Sequence, residues 1–518
     1  MSKMSKQSVQ TAETSNARPA THLPIARLAA LTAAALLVHG YHLGVDDGEI
    51  YVPAARRLLN PRLYPFAPEF FLSHAHLSLF STILASTARL AHLSMDATIF
   101  GWYIVTLFAM MIASWKLACA CFNSLRARWS AVLILAAVVS MPATNTGLLL
   151  MDPYLSARSF STPLTLFVIA AILDKSYISA TIGVIVTATI HPQMVTYLVF
   201  LIAVMWIMER RERKETSQPA AFASMALILP GGFHLTPATE PYREALYSRD
   251  FYFIANWQWY HWLGMLAPLA FLAWFWKGKF EGTRPGFSRL SFALIPFGLL
   301  SMLVALIFAT SHVFDMVART QPLRTFHLIT IIFVLLLGGV VGEFAGRDHR
   351  WLPPAIAVLL GCGMFYVQHE TYPNSSHIEW PASSSTNPWV NTLLWIRANT
   401  PEDAVFAADS RYFLDDVTDQ HGFRALSARS ALADYYKDGG AVAIFPFLAP
   451  EWKQMSAATY GLNHFSRAQF EYLRKEYPQV GWTLIHGLAP AGLDCPYQQD
   501  SFEVCRMPNS QSQSTQWR

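Results

Sequence analysis

The densest chemistry in the sequence lies in HLGVDDGEIYVPAARRLLNPRLYPFAPEFFLSHAH, residues 42–76. Asp46, Asp47 and Glu49 fall within four residues, directly after an apolar segment at 28–43. Three carboxylates this close repel one another, and a divalent cation or a cationic partner would relieve them. A carboxylate there could also act as general base towards an acceptor hydroxyl or amine. Arg56, Arg57 and Arg62 follow, and the guanidinium fork pairs bidentately with phosphate. A plainer role competes: Asp is a favoured N-cap, and Asp47 could do no more than cap a helix over 50–59.

A second acidic stretch, TNTGLLLMDPYLSARSFSTPL (144–164), carries Asp152 and Arg158 between two apolar segments. Charges so placed are expensive and tend to be functional or paired; these two could simply neutralise each other. His191, with Pro192 after it, closes a short apolar segment and is either a polar anchor or a binding residue. The stretch SHVFDMVARTQPLRTFHL (311–328) sets His312, Asp315, Arg319 and Arg324 at another apolar boundary. Arg324 there needs an anion, a carboxylate or a lipid phosphate. Glu240, Arg243 and Glu244 sit among aromatics in 235–257, which reads as a helix lying on a surface.

Membrane helices must position these residues. Of 518 residues 53% are hydrophobic and only 14% charged, against roughly 25% charged in soluble domains. The chain is therefore an α-helical polytopic membrane protein. The spans are expected near 25–43, 97–120, 129–146, 160–174, 177–191, 193–208, 219–234, 258–276, 290–310, 324–342 and 352–368, about eleven. The first could pass for a signal peptide, but no small-residue cleavage site follows it. Net charge is only +4, with no basic stripe interleaved with aromatics, which argues against nucleic acid as a partner.

Basic residues near span ends are retained in the cytoplasm. Lys3, Lys6, Arg18 and Arg27, then Arg126/Arg128, Lys175, Arg210–Lys214, Lys277–Arg284 and Arg347/Arg350, all fall on one side if 74–93 does not cross. That segment contains His74, His76, Arg89 and His92, and reads as a helix on the outer membrane surface. The organisation is then a disordered cytoplasmic tail (1–24), a transmembrane domain (25–368) with a long first outer loop (44–96), a linker (369–390), and a small extracytoplasmic α/β domain (391–518). Strands are expected at 404–408, 482–485 and 502–505, and a helix at 467–476. Cys495 and Cys505 flank the turn-like PYQQD and, in an oxidising compartment, would pair.

An acidic motif opening a long first outer loop (VDDGE), a second acidic site (MDPYLSAR), about eleven spans and an outer C-terminal domain resemble the GT-C class of membrane glycosyltransferases. That class includes the oligosaccharyltransferase catalytic subunit, the protein O-mannosyltransferases and the aminoarabinose transferase. The stretch WIRANTPEDAVFAADSRYF (395–413) also resembles the start of the soluble domain of oligosaccharyltransferase subunits. The WWDYG motif that binds acceptor sequons there is replaced by SRYFLDD, so sequon glycosylation is not implied.

The resemblance implies transfer of a sugar from a polyprenyl-phosphate donor at the outer face of a bacterial inner membrane, with the N-terminus cytoplasmic and the C-terminal domain periplasmic. It implies a catalytic carboxylate at Asp46 or Asp47, Asp152 as the second-loop acid, and a divalent metal such as Mg or Mn on Asp47 and Asp152. The sequence reading adds Glu49 to the acids, and Arg56, Arg57, Arg158, His191, Arg319 and Arg324 as substrate-binding residues. Membrane lipids are the other expected partners. The alternative is a non-catalytic or transport protein that handles lipid-linked intermediates. A transporter should show charged or broken helices near the bilayer midplane, often in repeated halves; the acids here sit at span ends and no repeat is seen.

Overall fold

The computed structural model describes residues 23–212, 238–278, 280–308 and 315–508; the span expected at 219–234 and His312 lie outside them. Helix α1 (Ile25–His39) is followed by a loop that folds into α2 (Gly48–Leu59), α3 (Glu69–Ala75) and α4 (Phe80–Ala91). Then come α5 (Met95–Cys121), α6 (Leu125–Ala137), α7 (Ala157–Leu173), α8 (Tyr177–Ile190) and α9 (Pro192–Glu212). The short α10 (Glu240–Tyr247) precedes α11 (Trp259–Lys277), α12 (Pro285–Phe308), the single turn α13 (Asp315–Ala318), α14 (Thr325–Asp348) and α15 (Leu352–Thr371). Five of these, α5, α9, α12, α14 and α15, are long and apolar enough to cross a membrane.

Segment 74–93 yields α4, which at 12 residues and 1.5 Å per residue cannot cross a core about 30 Å thick. Its Phe80, Leu84 and Ala88 are buried beside Tyr41, Met95 and Tyr103, so it lies against the bundle along one apolar face. The stretch expected to span 129–146 is helical only to Ala137. Beyond it the chain turns back on itself, with Pro142 bridged to Leu149. Close packing of α14 on α6 is written in GGVVG: a Cβ on Gly342 would come within 2.5 Å of the Ser130 Cβ, and one on Gly338 within 3.1 Å of the Ala131 Cα. Glycines four apart on one helix face let two backbones approach.

The C-terminal part contains α16 (Pro388–Asn399), β1 (Val405–Ala407), α17 (Phe423–Ser427), β2 (Ser430–Ala431), α18 (Lys437–Ile444), α19 (Ala449–Ala458), α20 (Arg467–Glu476), β3 (Trp482–His486), β4 (Asp494–Gln499) and β5 (Phe502–Arg506). The five strands form one small sheet in the order β2-β1-β3-β5-β4. The β2-β1-β3 pairs are parallel and the β3-β5-β4 pairs antiparallel. Cys495 and Cys505 are disulfide-bonded, with Cys495 inside the irregular stretch of β4 between Asp494 and Tyr497.

This domain does not stand apart from the helices. Its apolar core, with Val405, Leu432, Trp452 and Ile485, continues into Phe70 of the first loop and Tyr242 and Leu246 of α10. The linker is likewise tied down. Asp419 accepts bonds from Asn374 N (3.0 Å), Ser375 Oγ (2.6 Å) and Asn387 Nδ2 (3.2 Å).

Candidate functional site

The acidic motif is held between two other segments. Tyr41 N donates to His377 O (3.0 Å) on one side; on the other, Asp46 N donates to Gln420 O (3.0 Å) and Gly422 N to Gly44 O (2.9 Å). Gly44 has φ +71° and passes so near Ala425 that a Cβ would come within 3.1 Å of its methyl group. Asp46 also adopts a left-handed φ of 51°, which Asp tolerates better than most residues, and this turns the chain into α2.

Asp47 thus occupies the N-cap position of α2, yet its side chain caps nothing. It faces Arg158 at the start of α7. Arg158 Nη1 donates to Asp47 Oδ2 at 2.6 Å and Nη2 to Asp152 Oδ2 at 2.8 Å. Asp152 accepts a further bond from Ser156 Oγ at 3.0 Å. Asp152 and Arg158 therefore do neutralise each other, through a fork whose other tine holds Asp47. The C-terminal domain adds Lys437, the first residue of α18, which pairs with Asp46 and stands 3.4 Å from Asp47.

Exposure falls steadily through this group, from 33% for the Asp46 side chain and 23% for Asp47 to 8% for Arg158 and 4% for Asp152. Ligand access is therefore from the Asp46/Asp47 end. Burial pushes the Asp47 carboxyl up, but the Arg158 guanidinium, assisted by Arg324 and His74, reverses this and holds it below the ordinary carboxylate value. Asp152 goes the other way, because burial and the Asp47 charge outweigh Arg158. Paired carboxylates pushed apart in this manner are suited to opposite proton roles. Burial draws the Lys437 ammonium down to about 7; Asp46 and Asp47 at its Nζ oppose that and favour the charged form.

Further cations line the same region. Arg249 is 5% exposed, and its Nε and Nη2 are buried without a hydrogen-bond partner among the described residues. Its guanidinium lies 4.4 Å from the Tyr436 ring centre, and Lys437 Nζ lies 5.3 Å from the same ring. Arg324 stacks 5.9 Å from the Phe251 centre, with its Nε buried and without a hydrogen-bond partner among the described residues. The Tyr252 phenol lies within the fields of Arg324, Arg249 and Asp47, so all three are within electrostatic reach of one ring. His191 is buried within reach of the charges of Arg158, Arg324 and Asp47. His74, within electrostatic reach of Asp47, has an Nδ1 without a partner among the described residues, and burial pushes its pKa down to about 4.

Three of the residues expected here, Glu49, Arg56 and Arg57, are engaged elsewhere. Glu49 is two residues past Asp47, roughly 200° around α2, and faces the C-terminal domain. Its carboxylate accepts from Arg424 N (3.0 Å) and Ala425 N (2.9 Å) and pairs with the Arg424 guanidinium (3.4 Å), which also grips Asp438. Arg56 and Arg57, two turns and more along the helix, bind Asp96 (2.6 Å) and the Tyr64 carbonyl respectively. Arg319 lies near Tyr242. Sequence reasoning missed Lys437, Arg249 and His74. For Lys437 the only available signal was a lysine inside the small, acidic DYYKDGG turn.

No protein-family model matches the chain, and neither does any curated protein.

Proposed function

We propose that this chain is a membrane transferase that moves a sugar from a polyprenyl-phosphate donor to an acceptor, with Asp47 as the base. The observation that carries the reading is a partly open carboxylate set among buried cations, of which Arg249 and Arg324 retain donors unpaired among the described residues. An anionic phosphate group supplies the missing partner for those donors. In the step proposed, the acceptor oxygen bonds to the anomeric carbon and the carbon–phosphate oxygen bond breaks. The acceptor proton passes to Asp47, and the leaving oxygen's charge is met by guanidinium groups. On this reading the architecture is that of the GT-C class: about eleven spans, the N-terminus cytoplasmic, and the site and C-terminal domain on the outer face of a bacterial inner membrane.

A Mg or Mn ion fits Asp47 and Asp152 poorly. Both carboxylates are already committed to one guanidinium, and Lys437 occupies the free side of Asp47. The step proposed runs without a metal at this position. One observation favours the second reading, a non-catalytic carrier of lipid-linked intermediates: Lys437 closes over both Asp46 and Asp47.

The test uses purified protein and a bacterial lipid extract containing polyprenyl-phosphate sugars, with release of free polyprenyl phosphate followed by mass spectrometry. Asp47→Asn should still bind the donor, but release it at about a hundredth of the wild-type rate or less, the usual loss for a general base. Arg249→Gln and Arg324→Gln should lose donor binding. Donor bound but never consumed by the wild type would select the carrier reading. Undiminished turnover by Asp47→Asn would remove Asp47 from the chemistry.

A further inference from the structure

His42, Glu379 and His421 come from three segments remote in sequence: the exit of α1, the linker after α15, and the C-terminal domain. Their nitrogen, oxygen and nitrogen ligand atoms all lie within 4.8 Å of one another. Glu379 Oε1 is 2.9 Å from His421 Nε2 and 3.7 Å from His42 Nδ1. Two ligands at zinc–nitrogen and zinc–oxygen distances around a tetrahedral ion stand about 3.4 Å apart, so these separations bracket what an ion would draw together.

In His421 and Glu379 the polar atoms that face away from the cluster are held by backbone groups, which leaves the converging ones to face one another. His421 Nδ1 lies 3.0 Å from the Thr418 carbonyl, an acceptor, so Nδ1 carries a proton, and the Nε2 proton that faces Glu379 is the one an ion would displace. Glu379 Oε2 accepts from Leu43 N at 2.8 Å, leaving Oε1 facing both rings. Backbone anchors of this kind orient metal-ligating side chains. His42 decides the matter. It is 1% exposed, its ring is fixed by stacking on Tyr372 (3.8 Å between centroids), and neither ring nitrogen has a hydrogen-bond partner among the described residues. An ion pair between His421 and Glu379 alone would leave that imidazole buried and unsatisfied, which is costly.

We propose that His42, Glu379 and His421 bind one transition-metal ion, Zn²⁺ by ligand type, that pins the start of the acidic motif to the linker and the C-terminal domain. Two imidazoles and a carboxylate suit zinc and leave a fourth position open. The site lies beside the Val45–His421 and Tyr41–Ile378 bridges, four residues ahead of Asp46. The ion would thus set how Asp46 and Asp47 are presented, whether or not the chain is a transferase.

The experiment uses full-length protein purified in detergent, without chelator, on a tag lacking histidine. Elemental analysis is expected to find about one zinc per chain. His42→Ala and Glu379→Gln should each fall below about a tenth of that, because removing one of three ligands cripples such a site. Should the variants fold poorly, the wild type alone decides. After chelation its thermal stability should drop and return on adding Zn²⁺ but not Mg²⁺, and Co²⁺ should give a visible ligand-field absorption. Wild-type protein that holds no metal and whose stability does not respond to Zn²⁺ overturns the proposal. So does zinc content unchanged in both variants.

Discussion

Replacing Arg158 by Gln would leave Asp47 and Asp152 facing each other without their shared guanidinium. Breaking a buried ion pair by removing one partner typically costs about 3–5 kcal/mol. Here the loss divides unequally. Asp47 is 23% exposed and keeps Lys437, whereas Asp152 is 4% exposed and keeps, among the described residues, only Ser156 Oγ. The cost therefore falls on Asp152, and about 3 kcal/mol, the low end, is expected. Asp152→Asn alone removes one charge-assisted bond and should cost about 2 kcal/mol. The double variant no longer buries an unpaired charge at 152 and should also cost about 2 kcal/mol, so the coupling is about 3 kcal/mol. Stability would be read by SDS titration in mixed micelles, with tryptophan fluorescence as the signal. The double variant should regain folding relative to Arg158→Gln while losing donor turnover. If the two single losses add to within about 0.5 kcal/mol, Arg158 does not bridge these carboxylates and the site is not one unit.

Docking of the C-terminal domain should weaken above neutral pH. Burial raises Glu49 from 4.5 to about 7, and burial with Asp438 beside it raises Asp434 well above its ordinary value. The folded state thus holds extra protons, and their stabilisation, about 3 kcal/mol for Glu49, is full below pH 4.5 and lost as pH rises through 7. Proteolysis in the linker should accordingly be faster at pH 8.5 than at pH 6, and Glu49→Gln should flatten the difference; a pH-independent rate in the wild type would contradict it. Cys495→Ser opens a ten-residue loop and should cost the C-terminal sheet about 2–3 kcal/mol; finding both thiols free by mass spectrometry in unreduced wild type would remove the basis for that figure.

Much of the helical architecture is legible because hydropathy is a local signal. Helix α20 is recovered from end to end, since Ser466 and Gln469 form a capping box at its start and an amphipathic face follows. The error at 129–146 has the opposite cause. Residues 138–143 (VVSMPA) are as apolar as a span, but they form a loop whose Val138, Val139 and Ala143 are buried in the bundle core, and composition cannot separate such a loop from a crossing helix. In the site, Asp47, Asp152 and Arg158 stand out because charges between apolar segments demand partners. Lys437 does not, because it approaches from 390 residues away in a stretch that reads as an ordinary surface turn of a soluble domain.

The acidic motif divides between two tasks, and α2 is what separates them. Asp46 and Asp47 precede its first turn and face Arg158 and Lys437; Glu49, within that turn, faces Arg424 and Asp438. Arg424 and Lys437 belong to the same C-terminal domain, joined through Asp438 and Asp434: Asp438 accepts from Arg424, and Asp434 accepts from Lys437 N at 2.5 Å. The grip on Glu49 and the ammonium group that covers Asp47 are therefore linked by a few bonded residues. A ligand reaching the Asp46/Asp47 end would have to displace Lys437 from both carboxylates. On this argument Arg424→Met is worse than a local lesion. It leaves Glu49, Asp434 and Asp438 buried without their common cation, and it also detaches Lys437 from the carboxylates it attends.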